Sequence, residues 1–271
     1  MKETFVELIC QRLERNSEEL RKRFSQQNGA THARYLVVDD LLPRDLAIDI
    51  YNSFPKKEQM RRASTFREAK YTFKQLDGIP TLLKDITFAI QSPRVVSLIE
   101  KITKIPRQRP DPSLYAGGLS LMAKGDFLNP HIDNSHDVER KSYRTLNLLY
   151  YVTPDWKLEY GGNLELWDKK VEKAVVIPSL FDRLVIMQTN LSAWHSVSPV
   201  VFDGQRCCVS NYYFSEVSPE DKEYFHVTSF SARPDQVFHR ALSRIDSLVR
   251  NGVRKLFRKG VGRNDLYAPK K

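Results

Sequence analysis

The chain has 271 residues, of which 41% are hydrophobic and 28% charged, a composition typical of a folded globular protein. It contains no run of 18 apolar residues, which argues against a membrane-spanning helix. Glutamates close to the first apolar residues of the chain argue against a secretory signal. Its three cysteines, two of them adjacent, do not suggest a disulfide framework. We therefore expect a cytoplasmic protein.

The first part of the chain is predicted to be helical. Apolar residues recur at helical spacing over residues 3–24, and prolines precede or begin three further predicted helices at residues 44–54, 80–91 and 93–103. A short strand is expected at 35–38. After about residue 113, short apolar runs alternate with turn signals, at 118–122, 145–152, 164–167, 174–177, 184–188 and 207–214. Strands this short and frequent favour an antiparallel sandwich or barrel.

The net charge of +10 is concentrated at the end of the chain. Residues 233–271 hold 11 Lys and Arg against 3 Asp and Glu, so the other residues carry only +2. Residues 234–257 have the pattern of an amphipathic helix with a basic face. That helix could dock on the barrel with its basic face in solvent, form a dimer contact, face an anionic partner or lie peripherally at a membrane surface. We expect no specific nucleic-acid partner.

A metal-binding pattern lies in the β-rich region. His131 and Asp133 are two residues apart, so in a strand their side chains point to the same face. His195 follows 64 residues later and could complete a set of two histidines and one carboxylate. Such a facial triad leaves coordination positions open and is used by non-haem Fe(II) oxygenases. Arg206 begins an apolar strand and carries a guanidinium suited to a dicarboxylate, although a surface arginine would fit the sequence too.

Six ordered blocks of sequence make the pattern specific. They are GDFLNPHIDN from residue 125, RTLNLLYY from residue 144, PDW from 154, GGNLELW from 161, DRL from 182, and the pair His195 and Arg206. Over about residues 117–214 this arrangement resembles the prolyl-hydroxylase-like branch of the Fe(II)/2-oxoglutarate oxygenases.

The resemblance implies a mainly β fold with flanking helices (α+β). Its centre would be a double-stranded β-helix, the jelly-roll or cupin-like barrel. We expect residues 1–115 to form a helical support packed on the barrel, residues 116–217 to form the oxygenase core, and residues 218–271 to form a basic C-terminal helix and tail.

The resemblance also implies the site. His131, Asp133 and His195 would hold Fe(II), with no catalytic residue beyond this metal centre, and Arg206 would bind the C5 carboxylate of 2-oxoglutarate. O2 would be the second cosubstrate, and ascorbate a supporting reductant. Strand parity places residues 145, 147, 149 and 151 on one face. The remaining residues expected in the cosubstrate pocket are Tyr151, Asn147 and Ser210, and those expected to contact substrate are His136 and Asn134.

Two positions depart from the family pattern. Met122 stands where relatives often have a tyrosine, so one hydrogen bond to the cosubstrate is expected to be missing or supplied elsewhere. Tyr212, six residues after Arg206, stands where nucleic-acid demethylases tend to have a second arginine. This difference argues against nucleic-acid repair.

The sequence leaves three functions open. The first is a hydroxylase of an unactivated C–H bond in a small-molecule, glycan or lipid-linked substrate, with release of succinate and CO2. The second is a protein hydroxylase of the prolyl type acting on a peptide. The third is a non-catalytic barrel that binds a metal or ligand.

Overall fold

A computed structural model describes residues 1–26, 31–234, 236 and 266–268 of the chain. Its helices are α1 (Lys2–Arg15), α2 (Ser17–Ser25), α3 (Arg44–Asn52), α4 (Thr81–Ile90) and α5 (Pro93–Thr103). The single helix predicted over residues 3–24 is divided at Asn16, whose ψ of 18° ends α1 before Ser17 begins α2. At α5, Ser92 accepts a hydrogen bond from the Val95 amide and Pro93 occupies the first turn, as helix capping favours.

Within the described residues, thirteen strands form one curled antiparallel sheet. In chain order they are β1 (Tyr35–Val38), β2 (Arg61–Ser64), β3 (Glu68–Phe73), β4 (Arg109–Pro110), β5 (Gly118–Ala123), β6 (Phe127–Ile132), β7 (Tyr143–Tyr151), β8 (Leu164–Trp167), β9 (Ala174–Ile177), β10 (Arg183–Gln188), β11 (His195–Val197), β12 (Gln205–Ser215) and β13 (Ser229–Phe230). All six strands predicted after residue 113 are present, and β6 and β11 carry the predicted metal ligands His131 and His195.

The sheet folds into two facing layers. One layer has the order β10-β7-β12-β5, extended by β1 beside β10, and the other has the order β6-β11-β8-β9. These eight strands from β5 to β12 form a double-stranded β-helix, as predicted. The β2–β3 hairpin joins the layers along one edge, because β3 pairs with both β5 and β6.

The helices cover the outer face of the first layer. Alternation along β7 places Leu146, Leu148 and Tyr150 in the main hydrophobic core, while residues 147, 149 and 151 face the inside of the barrel. The helical side chains in this core include Phe5 and Leu83, both fully buried. Burying a side chain of this size contributes roughly 1.5–3 kcal/mol, so this packing fixes the first layer in place.

The N-terminal and C-terminal regions both take part in the sheet. Residues 1–115 supply strands β1 to β4 in addition to the five helices, and β13 pairs with β6. The predicted basic helix at 234–257 lies outside the described residues apart from 234 and 236. Near the C-terminus, the buried Tyr267 packs beside Phe88 and its hydroxyl donates to Asp77. No helix among the described residues has the length and apolar character needed to cross a bilayer.

Candidate metal centre and cosubstrate pocket

The predicted triad residues lie together inside the barrel. His131 on β6 is the direct cross-strand partner of His195 on β11, and their ring centroids are 4.1 Å apart. Asp133 follows β6, and its two carboxylate oxygens each lie 3.7 Å from the Nε2 atom of one histidine. One ligand atom from each residue lies within 4.8 Å of the others. The three side chains could therefore bind one ion.

Both histidines are oriented for metal binding by the backbone. The Nδ1 atom of His131 lies 3.0 Å from the carbonyl of Asn129, and that of His195 lies 2.9 Å from the carbonyl of Ala193. A carbonyl can only accept, so each Nδ1 carries the proton and each Nε2 retains its lone pair. Burial, and secondarily His195, lowers the pKa of His131 to about 3, which keeps this ligand neutral at physiological pH.

Asp133 is held in its charged form by a buried arginine. The Arg144 Nη1 atom lies 3.3 Å from one Asp133 oxygen, and Arg144 is only 3% exposed. Burial by itself would raise the pKa of the carboxyl, but the positive charge of Arg144 lowers it to about 2. The same arginine donates to the Asn134 side-chain oxygen at 2.6 Å. Arg144 therefore positions a metal ligand and a neighbouring side chain of the cavity.

A β-bulge explains why Arg144 faces the metal. In the pairing of β7 with β12, Leu146 lies opposite Tyr213 but Arg144 lies opposite Phe214, so Thr145 is an extra residue. Simple alternation predicted that Thr145 would share the face of Asn147. That expectation was wrong, because Thr145 is fully buried and donates to Gln108 and to the Tyr213 carbonyl.

Arg206 lies inside the barrel with donors that the protein does not satisfy. The residue is 4% exposed, and its Nη2 atom is 2.8 Å from the sulfur of Met122, a weak acceptor. Its Nε atom is buried without a hydrogen-bond partner. The guanidinium lies 5.2 Å from the centroid of the Tyr151 ring. Gly162 leaves space for it, since a Cβ there would lie 3.1 Å from the Arg206 Cδ.

The other predicted cosubstrate residues also face the inside of the barrel. Tyr151, Asn147 and Ser210 line a cavity of about 500 Å³ that also contains the triad and Arg206. Asn134, which was predicted to contact substrate, lines the same cavity. The Asn147 amide donates to the Tyr212 hydroxyl at 3.0 Å, whereas its side-chain oxygen is buried without a partner. The Asn147 side-chain oxygen and the Arg206 Nε are therefore available to form hydrogen bonds with a ligand in the cavity.

The structure places His136 away from the lining of this cavity. Its ring lies 4.4 Å from that of Tyr143 and 5.8 Å from that of Phe225, and its Nδ1 is 2.7 Å from the Ser135 hydroxyl. His136 is 9% exposed. These contacts show that His136 packs within the loop beside the site. They do not support the predicted contact of His136 with substrate.

The segment before residue 234 also contributes to the site, which the sequence did not indicate. Phe230 on β13 lies opposite His131, with ring centroids 5.3 Å apart, and Thr228 and Phe230 line the cavity. His226 lies 3.2 Å from the Asp133 carbonyl through its Nδ1. This segment has no hydrophobic periodicity, so β13 could not be predicted from the sequence. Its pairing with β6 in the folded protein brings the segment to the site.

Comparisons with known proteins agree with the geometry. Residues 117–214 match the family model of the 2OG-Fe(II) oxygenase superfamily. A prolyl 4-hydroxylase from Pseudomonas putida superimposes with a TM-score of 0.55 at 14% identity, covering 72% of this chain and 98% of the other. A prolyl hydroxylase from Trichoplax adhaerens, in complex with a fragment of hypoxia-inducible factor, has a TM-score of 0.51 at 18% identity, with coverages of 75% and 92%.

A third structural neighbour is not a prolyl hydroxylase. It is a non-haem α-ketoglutarate-dependent epimerase from nogalamycin biosynthesis, with a TM-score of 0.50 at 14% identity, covering 74% of this chain and 84% of the other. A search of curated protein sequences gave no match.

Residues 117–214 therefore match a 2OG-Fe(II) oxygenase domain and contain the His-Asp-His site, and the chain has the fold of the prolyl hydroxylases. The protein is a 2-oxoglutarate-dependent Fe(II) dioxygenase, and it uses Fe(II), 2-oxoglutarate and O2.

Proposed function

We propose that the enzyme hydroxylates an unactivated C–H bond of a small-molecule, glycan or lipid-linked substrate. The observation that carries this proposal is the cavity, whose volume of about 500 Å³ lies within the range of small-molecule sites. Polar and apolar side chains of both layers line it, and the β2–β3 hairpin borders it. It contains the triad and Arg206 and leaves further space for a compact substrate beside the cosubstrate.

The residues fit the iron that the family uses. His131, Asp133 and His195 would hold the ion, since both Nε2 atoms and the Asp133 carboxylate point to one centre. When bound, Fe(II) would supply oxidative chemistry in which substrate, O2 and 2-oxoglutarate are converted to hydroxylated product, succinate and CO2. The protein keeps His131 neutral and the Asp133 carboxylate charged, and its buried walls limit access of water to the centre.

The residues also fit the cosubstrate. Arg206 would bind the distal carboxylate, because its buried Nε lacks a partner and its Nη2 donates to a sulfur, which is a weak acceptor. Met122 cannot donate a hydrogen bond as a tyrosine would. Tyr151 lies beside the guanidinium and would share that carboxylate, while Ser210 and Asn147 lie farther along the same face. These assignments are roles that the geometry supports and that substitution can test.

Protein hydroxylation is the alternative reaction of the same site. The structural neighbours include an enzyme in complex with a peptide fragment and an enzyme of nogalamycin biosynthesis, so the fold is compatible with either substrate kind. The substrate is expected to be selected by residues at the cavity mouth, in the β2–β3 hairpin and around residues 134–142.

A matched screen separates the two alternatives. Purified protein with Fe(II), 2-oxoglutarate and O2 is incubated with a panel of metabolites and, in parallel, with a panel of proline-containing peptides, and succinate release is measured. Release stimulated by metabolites, together with a product 16 mass units heavier, supports the proposal. Stimulation by peptides alone would assign the enzyme to protein hydroxylation instead.

A further inference from the structure

The residues that follow β12 return to the metal centre. We call residues 226–233, which include β13, the strap. β13 pairs with residues 131–132 on the same edge of β6 that β3 occupies at residues 127–128. The pairing extends past β13, because the Ser231 amide donates to the Pro130 carbonyl at 2.7 Å. The strap therefore completes this edge of β6 beside the metal site.

The inner side of the strap contacts the two triad residues at the end of β6. The Phe230 ring stacks on the His131 ring, with an interplanar angle of 22° and a centroid distance of 5.3 Å. The Nδ1 atom of His226 lies 3.2 Å from the Asp133 carbonyl. Thr228 and Phe230 line the cavity beside them. The strap is thus part of the wall of the metal site, and Phe230 covers one face of a ligand ring.

The strap ends in an ion pair with the second layer of the barrel. Arg233 donates to both carboxylate oxygens of Glu165 on β8, at 3.0 and 2.6 Å, and to the Val197 carbonyl at 3.1 Å. The side chains of Arg233 and Glu165 are only 13% and 10% exposed. Paired hydrogen bonds between charged groups that are largely shielded from water are strong and directional. We call this ion pair the latch.

Glu165 connects the latch to the second histidine of the triad. It lies opposite Ser196 in the pairing of β8 with β11, and the Ser196 hydroxyl donates to its carboxylate. The Trp167 indole donates to the same hydroxyl at 2.7 Å. Strand alternation directs His195 into the cavity and Ser196 to the opposite face, where the latch lies. The latch and the strap together therefore contact both strands that carry histidine ligands.

The physical chemistry of the latch indicates what it does. A buried ion pair contributes little net stability, because both charges lose their hydration, whereas removing one partner is costly. It also holds a single geometry, since the planar guanidinium and the carboxylate must face each other to form both hydrogen bonds. The latch is therefore better suited to fixing the position of the strap than to stabilising the fold.

We propose that Arg233 is a positioning residue of the metal centre. By holding the strap through the latch, it keeps Phe230 against His131 and so fixes the orientation of that ligand. The Asn129 carbonyl fixes the protonated nitrogen of the same ring, and the Phe230 ring fixes its face. The proposal concerns binding of the metal ion, and it holds for either kind of substrate.

The test measures Mn(II) binding to the full-length, metal-free protein by calorimetric titration without 2-oxoglutarate. The latch variant is Arg233→Met with Glu165→Gln, which removes both charges and so leaves no lone buried charge. The control is Arg183→Met with Asp39→Asn. It removes the same kind of pair, because Arg183 donates to both Asp39 oxygens, at 2.5 and 2.9 Å, and to the Pro178 carbonyl at 3.1 Å. Arg183 lies on β10, which carries no residue of the triad.

We expect the affinity for Mn(II) to be at least ~10-fold lower in the latch variant and within about twofold of the wild type in the control. Arg233→Lys retains the charge and a donor, so its affinity should lie closer to that of the wild type than to that of the latch variant. Urea unfolding of the metal-free proteins verifies that each variant is folded. A latch with a purely structural role would lower the free energy of unfolding and leave the affinity for Mn(II) unchanged.

A second set of variants tests the route through Phe230. Phe230→Leu removes the ring but keeps an apolar side chain, and it should weaken Mn(II) binding by itself. Adding the latch substitutions to Phe230→Leu should then lower the affinity by no more than about a further twofold, because both changes act on the same contact. Additive losses would overturn the proposed route from the latch to His131.

Two further results would overturn the proposal. They are an unchanged affinity for Mn(II) in the latch variant and equal losses of affinity in the latch and control variants. Either result leaves the proposed hydroxylase intact, since the wild type still binds the metal ion. A wild-type protein that binds no Mn(II) would instead contradict the metal centre itself, and the role of the latch with it.

Discussion

Replacing Arg206 with methionine should separate the stability of the fold from the binding of 2-oxoglutarate. In the structure the guanidinium is buried, contacts the Met122 sulfur and the Tyr151 ring, and leaves its Nε without a partner. A buried charge without a carboxylate is costly, whereas methionine has a similar length and no polar donor. The free energy of unfolding without cosubstrate should therefore be no more than about 1 kcal/mol below that of the wild type.

The effect on binding should be much larger. If Arg206 donates two hydrogen bonds to a carboxylate, each contributes roughly 1.5–3 kcal/mol, so the Kd for 2-oxoglutarate should rise at least ~100-fold. At a cosubstrate concentration of about 100 times the wild-type Kd, the wild type gains about 2.7 kcal/mol of stability from binding. The variant should gain no more than about 0.4 kcal/mol under the same conditions.

Urea unfolding of the Mn(II)-loaded protein without O2, with and without 2-oxoglutarate, measures both quantities. Arg94→Met is the control, since Arg94 is exposed on α5 and pairs with Glu7, and it should retain the full gain from cosubstrate. A gain of 2–3 kcal/mol in Arg206→Met would show that another residue binds the distal carboxylate.

Three further predictions follow from the site and the core. His131→Ala and Asp133→Ala should each abolish succinate formation while His32→Ala preserves it, and turnover by either of the first two variants would remove that residue from the triad. Burial lowers the pKa of His131 to about 3 from 6.5, so below pH 6.5 the unfolded chain takes up a proton that the folded chain does not. Stability of the metal-free protein should then fall from pH 6.5 towards pH 3, by up to about 1.4 kcal/mol per unit, and equally steep curves for the wild type and His131→Gln would refute this. Tyr150→Phe removes a buried hydroxyl that donates to Asp182 at 2.7 Å, and should lower the free energy of unfolding by about 1–3 kcal/mol in urea titrations, whereas an unchanged midpoint would show that the bond is not stabilising.

The barrel and the triad could be predicted because local rules determine them. The strands of the first layer alternate between a helix-covered face and an interior face, so their short apolar runs were visible in the sequence. The spacing of His131 and Asp133 placed them on one side, and the ordered blocks identified His195 and Arg206. These features depend on residues near one another in the chain or on a pattern that covers about 100 residues.

The remaining parts of the site depend on tertiary pairing. Arg144 faces Asp133 because of a bulge at Thr145, and simple alternation predicts the opposite face. The β2–β3 hairpin was not among the predicted strands, because polar residues on its cavity face mask the apolar alternation of a strand. Phe230 reaches His131 through a two-residue strand, β13, too short to show a pattern.

The central claim is that this chain activates 2-oxoglutarate through iron bound by His131, Asp133 and His195. The most direct measurement is release of CO2 from 2-oxoglutarate labelled at C1, with Fe(II) and O2 but without added substrate. We predict slow release by the wild type that requires Fe(II) and disappears in His195→Ala. Release that continues in that variant, or that does not depend on iron, would contradict the account.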